Sequence, residues 1–537
     1  MDRDPQEGTG RLAAREGDAP ALAVGSRPLA EMLRIAMPSI ATMTSYTVMQ
    51  FIDAKMVAHI TPASPAYIAA QGNGGVSAWS AIAMMFGMLV VVNTYVSQNL
   101  GAGHPERGSP YAWSVLWLSL VWAVLLIPYG IAQPAMFHAF GHPPEMVTME
   151  TPYARILVFG GFLTMSSRGL SNFFYGLHRA RVVLIGAVVG NLANALMNVV
   201  FIFGSNGMPS TGIAPLDALG NGAQSLSRAI GLEGMGVTGA GVGTLLGTSI
   251  ELAVLMVVFL GPRMNRLYHT RAAWRPDRKA IGDILRIGWP GGVMMVNEIV
   301  CWALVFSSLV PMAGTIGAAH SMGVSVDDPA ALHAGTIANT GGWIALRYMH
   351  VSFMPAVGLS IAVTATVGKY LGMGRPDLAR RRAWLGLRLT LTYMGLCGLA
   401  FVLFRGAMIR FFAPQTLGAE DVAALVRMGS MFMIAAAVFQ LFDALAITLL
   451  GALRGAGDTT WSGLVTVALS WGVMVLGGLA MIHLFPHLGH LGPWIAISGY
   501  IIALGAAMLW RFLFGPWHRI NLIAPGEAGL EADGTPT

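Results

Sequence analysis

The chain has 537 residues, of which 55% are hydrophobic and only 11% charged. An ordinary soluble domain carries about 25% charged residues, so a soluble enzyme, a disordered chain and a nucleic-acid binder are all disfavoured. A mean hydropathy of +0.62 places most of the chain in lipid, and the net charge of +6 has to be explained by where the basic residues fall.

The first residues, 1–30, are polar and hold no apolar run, so they read as a tail rather than a signal peptide. Beyond them the chain is cut into long stretches free of Asp, Glu, Lys and Arg, among them 56–105, 108–144, 182–216 and 459–510. A membrane helix needs about 20 mostly apolar residues. The last stretch is too long for one span and is broken by the turn-rich segment 483–493. Twelve helices are predicted, near 32–58, 67–99, 111–133, 152–175, 182–204, 237–261, 281–312, 341–371, 383–405, 424–450, 460–482 and 492–513. Pro38 and Pro290 fall in the opening turns of the first and seventh, where proline is tolerated. The expected class is an all-α integral membrane protein. Its parts are a polar tail (1–30), a six-helix bundle (31–262), a basic linker (263–280), a second six-helix bundle (281–515) and a polar tail (516–537).

With both ends of the chain in the cytoplasm, Arg107, Arg179, Arg181, the basic cluster from Arg263 to Lys279, the stretch from Lys369 to Arg388, and Arg454 all fall on the inner side. About two dozen of the basic residues do so, as the positive-inside rule requires. The basic charge is therefore a topology signal for a multi-pass protein of the cell's inner (plasma) membrane, and no nucleic-acid partner is implied. Cys301 and Cys397 lie in apolar runs and offer neither a disulfide framework nor a metal cluster.

Two motifs recur in order. LRIAMP (33–38) opens the first helix and LRIGWP (285–290) the seventh. VSQNLGAGHP (96–105) ends the second and VGKYLGMGRP (367–376) the eighth, with Ala112-Trp113 and Ala383-Trp384 following at the same offset. Six helices is an even number, so both halves enter the membrane in the same direction. The pseudo-twofold axis relating the two bundles then runs along the membrane normal. The outward segments 205–235 and 313–340 are Gly-rich insertions into this pattern.

These residues resemble the multidrug and toxic compound extrusion (MATE) family in its NorM-like bacterial branch. LLGALRGAGDT (449–459) is similar to the signature after helix ten, and YGLHRAR (175–181) is its counterpart after helix four. NALMNVVFIFG (194–204) resembles the end of the family's helix five, and SFMPAVGLSIA (352–362) resembles its helix eight. The resemblance implies a secondary antiporter. It would export small amphipathic, cationic organic compounds in exchange for Na+ or H+ by alternating access, with no cofactor besides the coupling ion.

An ionised side chain at the bilayer centre costs about 2.5–3.5 kcal/mol on insertion scales, which makes intramembrane acids functional candidates. By the resemblance, Asp53 is the family's helix-one acid, and Asn194, Asn198 and Thr244 complete an oxygen-rich site in the first bundle. Glu298 and Asp443 match the acids of the second bundle. The six residues are candidates for ion coupling, and Asp53, Glu298 and Asp443 for substrate binding. Some family members carry Asp where Asn198 stands, and Ala58 replaces a usual Gly. The plainer readings are an Asp53–Lys55 pair, a helix-bridging role for the two asparagines, a packing role for Thr244 and a structural role for Glu251. No Walker loop, HExxH or GxSxG motif occurs, so energy must come from an ion gradient and an enzyme is not expected. A flippase for a lipid-linked saccharide is the alternative, followed by a channel or intramembrane enzyme. A monomer is expected, with small molecules and the bilayer as partners.

Overall fold

The structure is a computed structural model that describes residues 27–60, 64–210, 214–413, 418–520 and 522–523; most of the two expected tails lies outside the described residues. It is helical nearly throughout: in lipid, only a helix or a closed barrel satisfies every backbone group internally. The helices are α1 (Pro28–Ala58), α2 (Pro65–Leu89), α3 (Val91–Gly101), α4 (Ser109–Leu125), α5 (Ile127–Ala139), α6 (Pro144–Phe159), α7 (Gly161–Gly176), α8 (Ala180–Asn198), α9 (Ala214–Ala229) and α10 (Val237–Phe259). After the short α11 (Pro262–Tyr268) come α12 (Arg278–Leu304), α13 (Val310–Met322), α14 (Pro329–Gly372), α15 (Pro376–Phe411), α16 (Ala419–Ala456), α17 (Thr459–Leu469), α18 (Leu476–Leu484) and α19 (Leu491–Phe514).

Several breaks are single residues. Val90, Leu126 and Gly160 keep right-handed helical dihedrals, so α2–α3, α4–α5 and α6–α7 each continue as one segment. Three others are π-helical turns, at Val199–Phe203, Val305–Leu309 and Ser470–Val475. Joined across these, the described residues form twelve long segments. Ten candidate spans are long and apolar enough to cross a membrane. The two segments not among them, 28–58 and 144–176, carry Glu31, Arg34, Asp53 and Lys55, and Glu145, Glu150, Arg155 and Arg168. Proline starts many of these helices, where its missing N–H is no loss. Asp277 and Asp328 cap α12 and α14 by accepting backbone N–H bonds at 2.8 Å. Gly457, at φ +89°, ends α16 in the left-handed conformation.

Three sequence expectations are corrected. Pro38 and Pro290 lie inside their helices rather than in the opening turns, because α1 and α12 begin earlier, at Pro28 and Arg278. The segment 313–340, expected as an insertion between the seventh and eighth helices, continues both of them: α13 and the start of α14 occupy it, with the break between Gly323 and Asp328. The fourth span begins at Pro144, well before 152.

The halves meet along α1–α14 and α12–α2, the two contacts that a twofold exchanging first with seventh and second with eighth segments must produce. The repeated motif shows the same relation in detail. A Cβ on Gly101 would strike the Lys369 carbonyl, and one on Gly372 would strike the Gln98 carbonyl. Gln98 and Lys369 occupy matching motif positions, as do Gly101 and Gly372, so the axis passes between them.

Candidate functional site

α3 is buried on every side from Val91 to Leu100, although half of those residues are polar. Their side chains bond across to the other half. Thr94 donates to the Arg454 carbonyl at 2.8 Å and Gln98 to the Gly455 carbonyl at 3.0 Å. Asn93 donates to the Ile361 carbonyl at 3.4 Å, and the His178 ring lies 3.1 Å from the Ala365 carbonyl. Glu31 of α1 completes this seam. It accepts from Lys369 at 3.1 Å, from the Tyr370 hydroxyl at 2.7 Å and from Arg382 at 3.0 Å. Lys369 is fully buried and Arg382 nearly so. These bonds between the halves lie towards the face that bears Arg107, Arg179 and the basic linker. Further along, Ile40 meets Gly358 and Met84 meets Gly292, which forms a floor. Beyond that floor lie Asp53, Glu298 and Asp443.

In the first half the four predicted residues are brought together. Asn198 donates to Asp53 Oδ1 at 2.5 Å and to Asn194 Oδ1 at 2.9 Å, and Asn194 donates to Thr244 Oγ1 at 3.3 Å. The spacing of four puts both asparagines on one face of α8. Gly243 and Gly247 of α10 open the room: a Cβ on Gly243 would strike Asn198 Oδ1, and one on Gly247 would lie 2.6 Å from Asn194 Cβ. Asn198 Oδ1 itself is buried with no partner among the described residues, a spare acceptor beside the Asp53 carboxylate. Asp53 thus bonds to Asn198 rather than to its chain neighbour Lys55.

In the second half Glu298 (α12) and Asp443 (α16) are half-buried, and neither makes a hydrogen bond or ion pair among the described residues. The residue before Glu298 is anchored firmly. Asn297 donates to Ser470 Oγ at 2.7 Å and accepts from Trp471 Nε1 at 2.8 Å, both in the π-helical turn. Glu251 is already engaged, since Tyr46 and Ser167 donate to its Oε1 at 2.6 and 2.9 Å.

Reading the sequence for acids alone missed several polar groups. Arg168 stands mid-segment in α7, over the rings of Tyr46 and Phe86. Glu150 is fully buried between His142 at 2.7 Å and Asn73 at 3.1 Å. Arg168 is a lone charge in an apolar stretch, the same signal that marked Asp53, whereas Glu150 stands between Glu145 and Arg155 in a segment whose charges hide it. Lys369 and Arg382 had been absorbed into the topology count. The insertion near 205–235 walls a cavity of about 760 Å³ on the face opposite the basic one, lined by Tyr67, Met149, Phe203, Met208 and Met235.

Two like helical halves, a polar seam closing one side, and acidic groups held at mid-span beyond it define a multi-pass membrane protein of the transporter class. The family model described as MatE matches residues 38–200 and 328–478. The chain belongs to that family. It is 26% identical to a probable multidrug resistance protein NorM of Mesorhizobium japonicum, covering 92% of this chain and 94% of that one. It is 28% identical to another of Pseudomonas aeruginosa, covering 93% and 91%. Among solved structures it is similar to a MATE protein in complex with MaL6, with a TM-score of 0.77 at 19% identity over 94% of this chain and 100% of that chain. It is also similar to an outward-facing multidrug resistance MATE transporter, with a TM-score of 0.75 at 20% identity over 93% and 97%.

Proposed function

We propose that the protein is a secondary antiporter that exports small amphipathic organic cations in exchange for Na+ or H+. The observation that carries this reading is the Glu298–Asp443 pair: two half-exposed carboxylates at mid-span that make no hydrogen bond or ion pair among the described residues. An unpaired carboxylate in a dry bundle is costly, so the pair recruits a proton, a Na+ ion or a cationic substrate. Because all three compete for the same oxygens, arrival of one favours departure of another. Exchange follows from that competition. In the first half, Asp53 and the unpartnered Asn198 Oδ1, with Asn194 and Thr244 behind them, form a second set of oxygens suited to the coupling ion. The relatives' names, multidrug resistance protein, agree with a broad choice of substrate.

The basic face is taken as cytoplasmic, with both termini there and the protein in the inner membrane, on the strength of its arginine and lysine content. The seam through Glu31, Lys369 and Arg382 then closes the inside, and the acidic groups face outward. Alternating access requires the seam to open and the far side to close. The protein works as a monomer, since each chain carries both halves.

The test is ethidium efflux from proteoliposomes under separately imposed pH and Na+ gradients. Efflux that follows one gradient and stops when it is collapsed is the expected result. Efflux indifferent to both, or conductance without a gradient, overturns antiport.

A further inference from the structure

We propose that the cavity walled by the 205–235 insertion is the coupling ion's own entrance from the outer face to the Asp53 cluster, and that the Tyr153 ring is the gate between them. The proposal rests on the exporter reading above and deepens it, because it gives ion and substrate separate ways in.

Register carries the argument. Three stretches of chain supply the Asp53 cluster, and the same three line the cavity further out. Ile60 follows Asp53 by seven residues, Ile202 follows Asn198 by four, and Val237 precedes Thr244 by seven. Ile60 lies just past α1, but its N–H still bonds the Val57 carbonyl at 3.3 Å, so the last turn carries on to it. Helical intervals of four and seven return to about the same face. The cavity therefore stands over the cluster. One apolar layer separates them: Val57, Tyr153 and Ala240 belong to the same packed cluster as Ile60, Ile202 and Val237 but do not line the cavity. Tyr153, from α6, fills the middle of that layer. Its ring lies against bare backbone on two sides, since a Cβ on Gly74 of α2 would sit 2.9 Å from Cδ1 and one on Gly241 of α10 would sit 3.1 Å from Cδ2. Asp53 is the acid whose charge reaches its hydroxyl.

The lining suits passage rather than storage. Every residue that lines the cavity belongs to the first half, so an ion that enters there passes neither Glu298 nor Asp443. At about 760 Å³ the space admits a hydrated cation. Its polar side chains are uncharged: the hydroxyls of Tyr67, Thr148 and Thr238 and the amide of Asn206. A conducting path needs contacts weak enough to release the ion, and an apolar constriction stops flow by shedding its water. The vestibule supplies the first and the Val57–Tyr153–Ala240 layer the second. The first half can then take up its ion while Glu298 and Asp443 still hold substrate.

The experiment puts a cysteine in the vestibule. Thr238→Cys is reacted in detergent with a trimethylammonium-ethyl methanethiosulfonate, to completion by mass, and compared with itself before reaction. The native chain, with its own Cys301 and Cys397, is treated alike as the control. Two quantities are read: ethidium efflux from proteoliposomes under the driving gradient, and the Kd of ethidium for the detergent-solubilised protein. Reaction is expected to abolish efflux and leave the Kd unchanged. Efflux that survives complete reaction overturns the proposal. So does a matching loss of ethidium binding, which would put the cavity on the substrate's path. If Thr238→Cys does not fold, Met208→Cys, also on the lining, takes its place. The gate is read separately in Tyr153→Ala, or in the larger Tyr153→Leu if that variant does not fold. An imposed gradient is expected to decay in the absence of ethidium, and vesicles as tight as those of the native protein overturn the role of Tyr153. These results all leave the exporter reading standing. A native protein that moves no ethidium under either gradient removes that reading and this proposal with it.

Discussion

Asp443 and Glu298 are the residues whose removal should be most informative. Asp443→Asn keeps size and shape but cannot hold a cation by charge, so coupled ethidium efflux is expected to vanish while the protein still reaches the membrane. Drug-driven ion release at the native rate from that variant would count against the pair as the coupling centre. Glu298→Gln should be comparably damaging, whereas if only Asp53→Asn abolishes coupling, the first half carries it. Gly243 gives an independent handle on the Asp53 cluster. Its missing Cβ is the space into which Asn198 Oδ1 fits, so Gly243→Ala forces the amide away from Asp53. Overpacking of this kind costs about 1–3 kcal/mol. It is expected to lower the melting temperature and impair coupling together, and a variant that couples normally would show that the Asp53–Asn198 bond is dispensable. At this scale the acids were legible because charge is so rare in apolar stretches. Arg168 carried the same signal, but its meaning depends on Tyr46 and Phe86, which come from two other segments.

Helices were legible at the scale of elements, and their interruptions were not. Nothing in the apolar pattern separates a π-helical turn from its surroundings, because the extra residue is fixed by what the neighbouring segment offers. At Ser470–Val475 the neighbour is Asn297, which takes one bond from Trp471 and gives one to Ser470. Asn297→Leu removes both bonds; the Ser470 hydroxyl keeps its donation to the Val467 carbonyl and Trp471 is partly solvent-exposed, so the loss is about 1 kcal/mol per bond. Since Glu298 follows directly on α12, a raised KM for ethidium is expected beside a lower melting temperature. A stability loss with unchanged KM would confine Asn297 to packing. The prolines differ for another reason: the apolar onset does not mark the helix start, since α1 and α12 begin at Pro28 and Arg278 and run through Glu31 and Arg34, and through Lys279, Asp283 and Arg286, before their prolines.

For the whole molecule, the contact that fixes the present state is the seam on the basic face. Glu31 is the carboxylate that accepts from Lys369, Arg382 and Tyr370 together, and removing one member of a buried ionic cluster costs about 3–5 kcal/mol. Glu31→Gln therefore shifts the population towards the state open at the basic face. Spin labels on Ile68 and Leu332, exposed near the starts of the second and eighth segments, should report a larger closed fraction on the opposite face. An unaltered distance distribution would show that the floor contacts at Gly358 and Gly292 hold the state unaided.

Composition by itself determined that this chain is a membrane protein, because so few charges cannot wet a surface of this size. The two matched motifs determined that it is duplicated, and an even number of helices per half set the direction of the axis. The six candidate residues could be selected from sequence as rare polar groups in familiar patterns. Only the tertiary structure decided which of them meet. Asp53, Asn194, Asn198 and Thr244 become one hydrogen-bonded cluster because glycines in α10 let α8 come close, while Glu298 and Asp443 make no hydrogen bond or ion pair among the described residues. The structure alone also turned Lys369 and Arg382 from topology markers into a seam, since the sign of a charge is written in the sequence but its partner is set by packing.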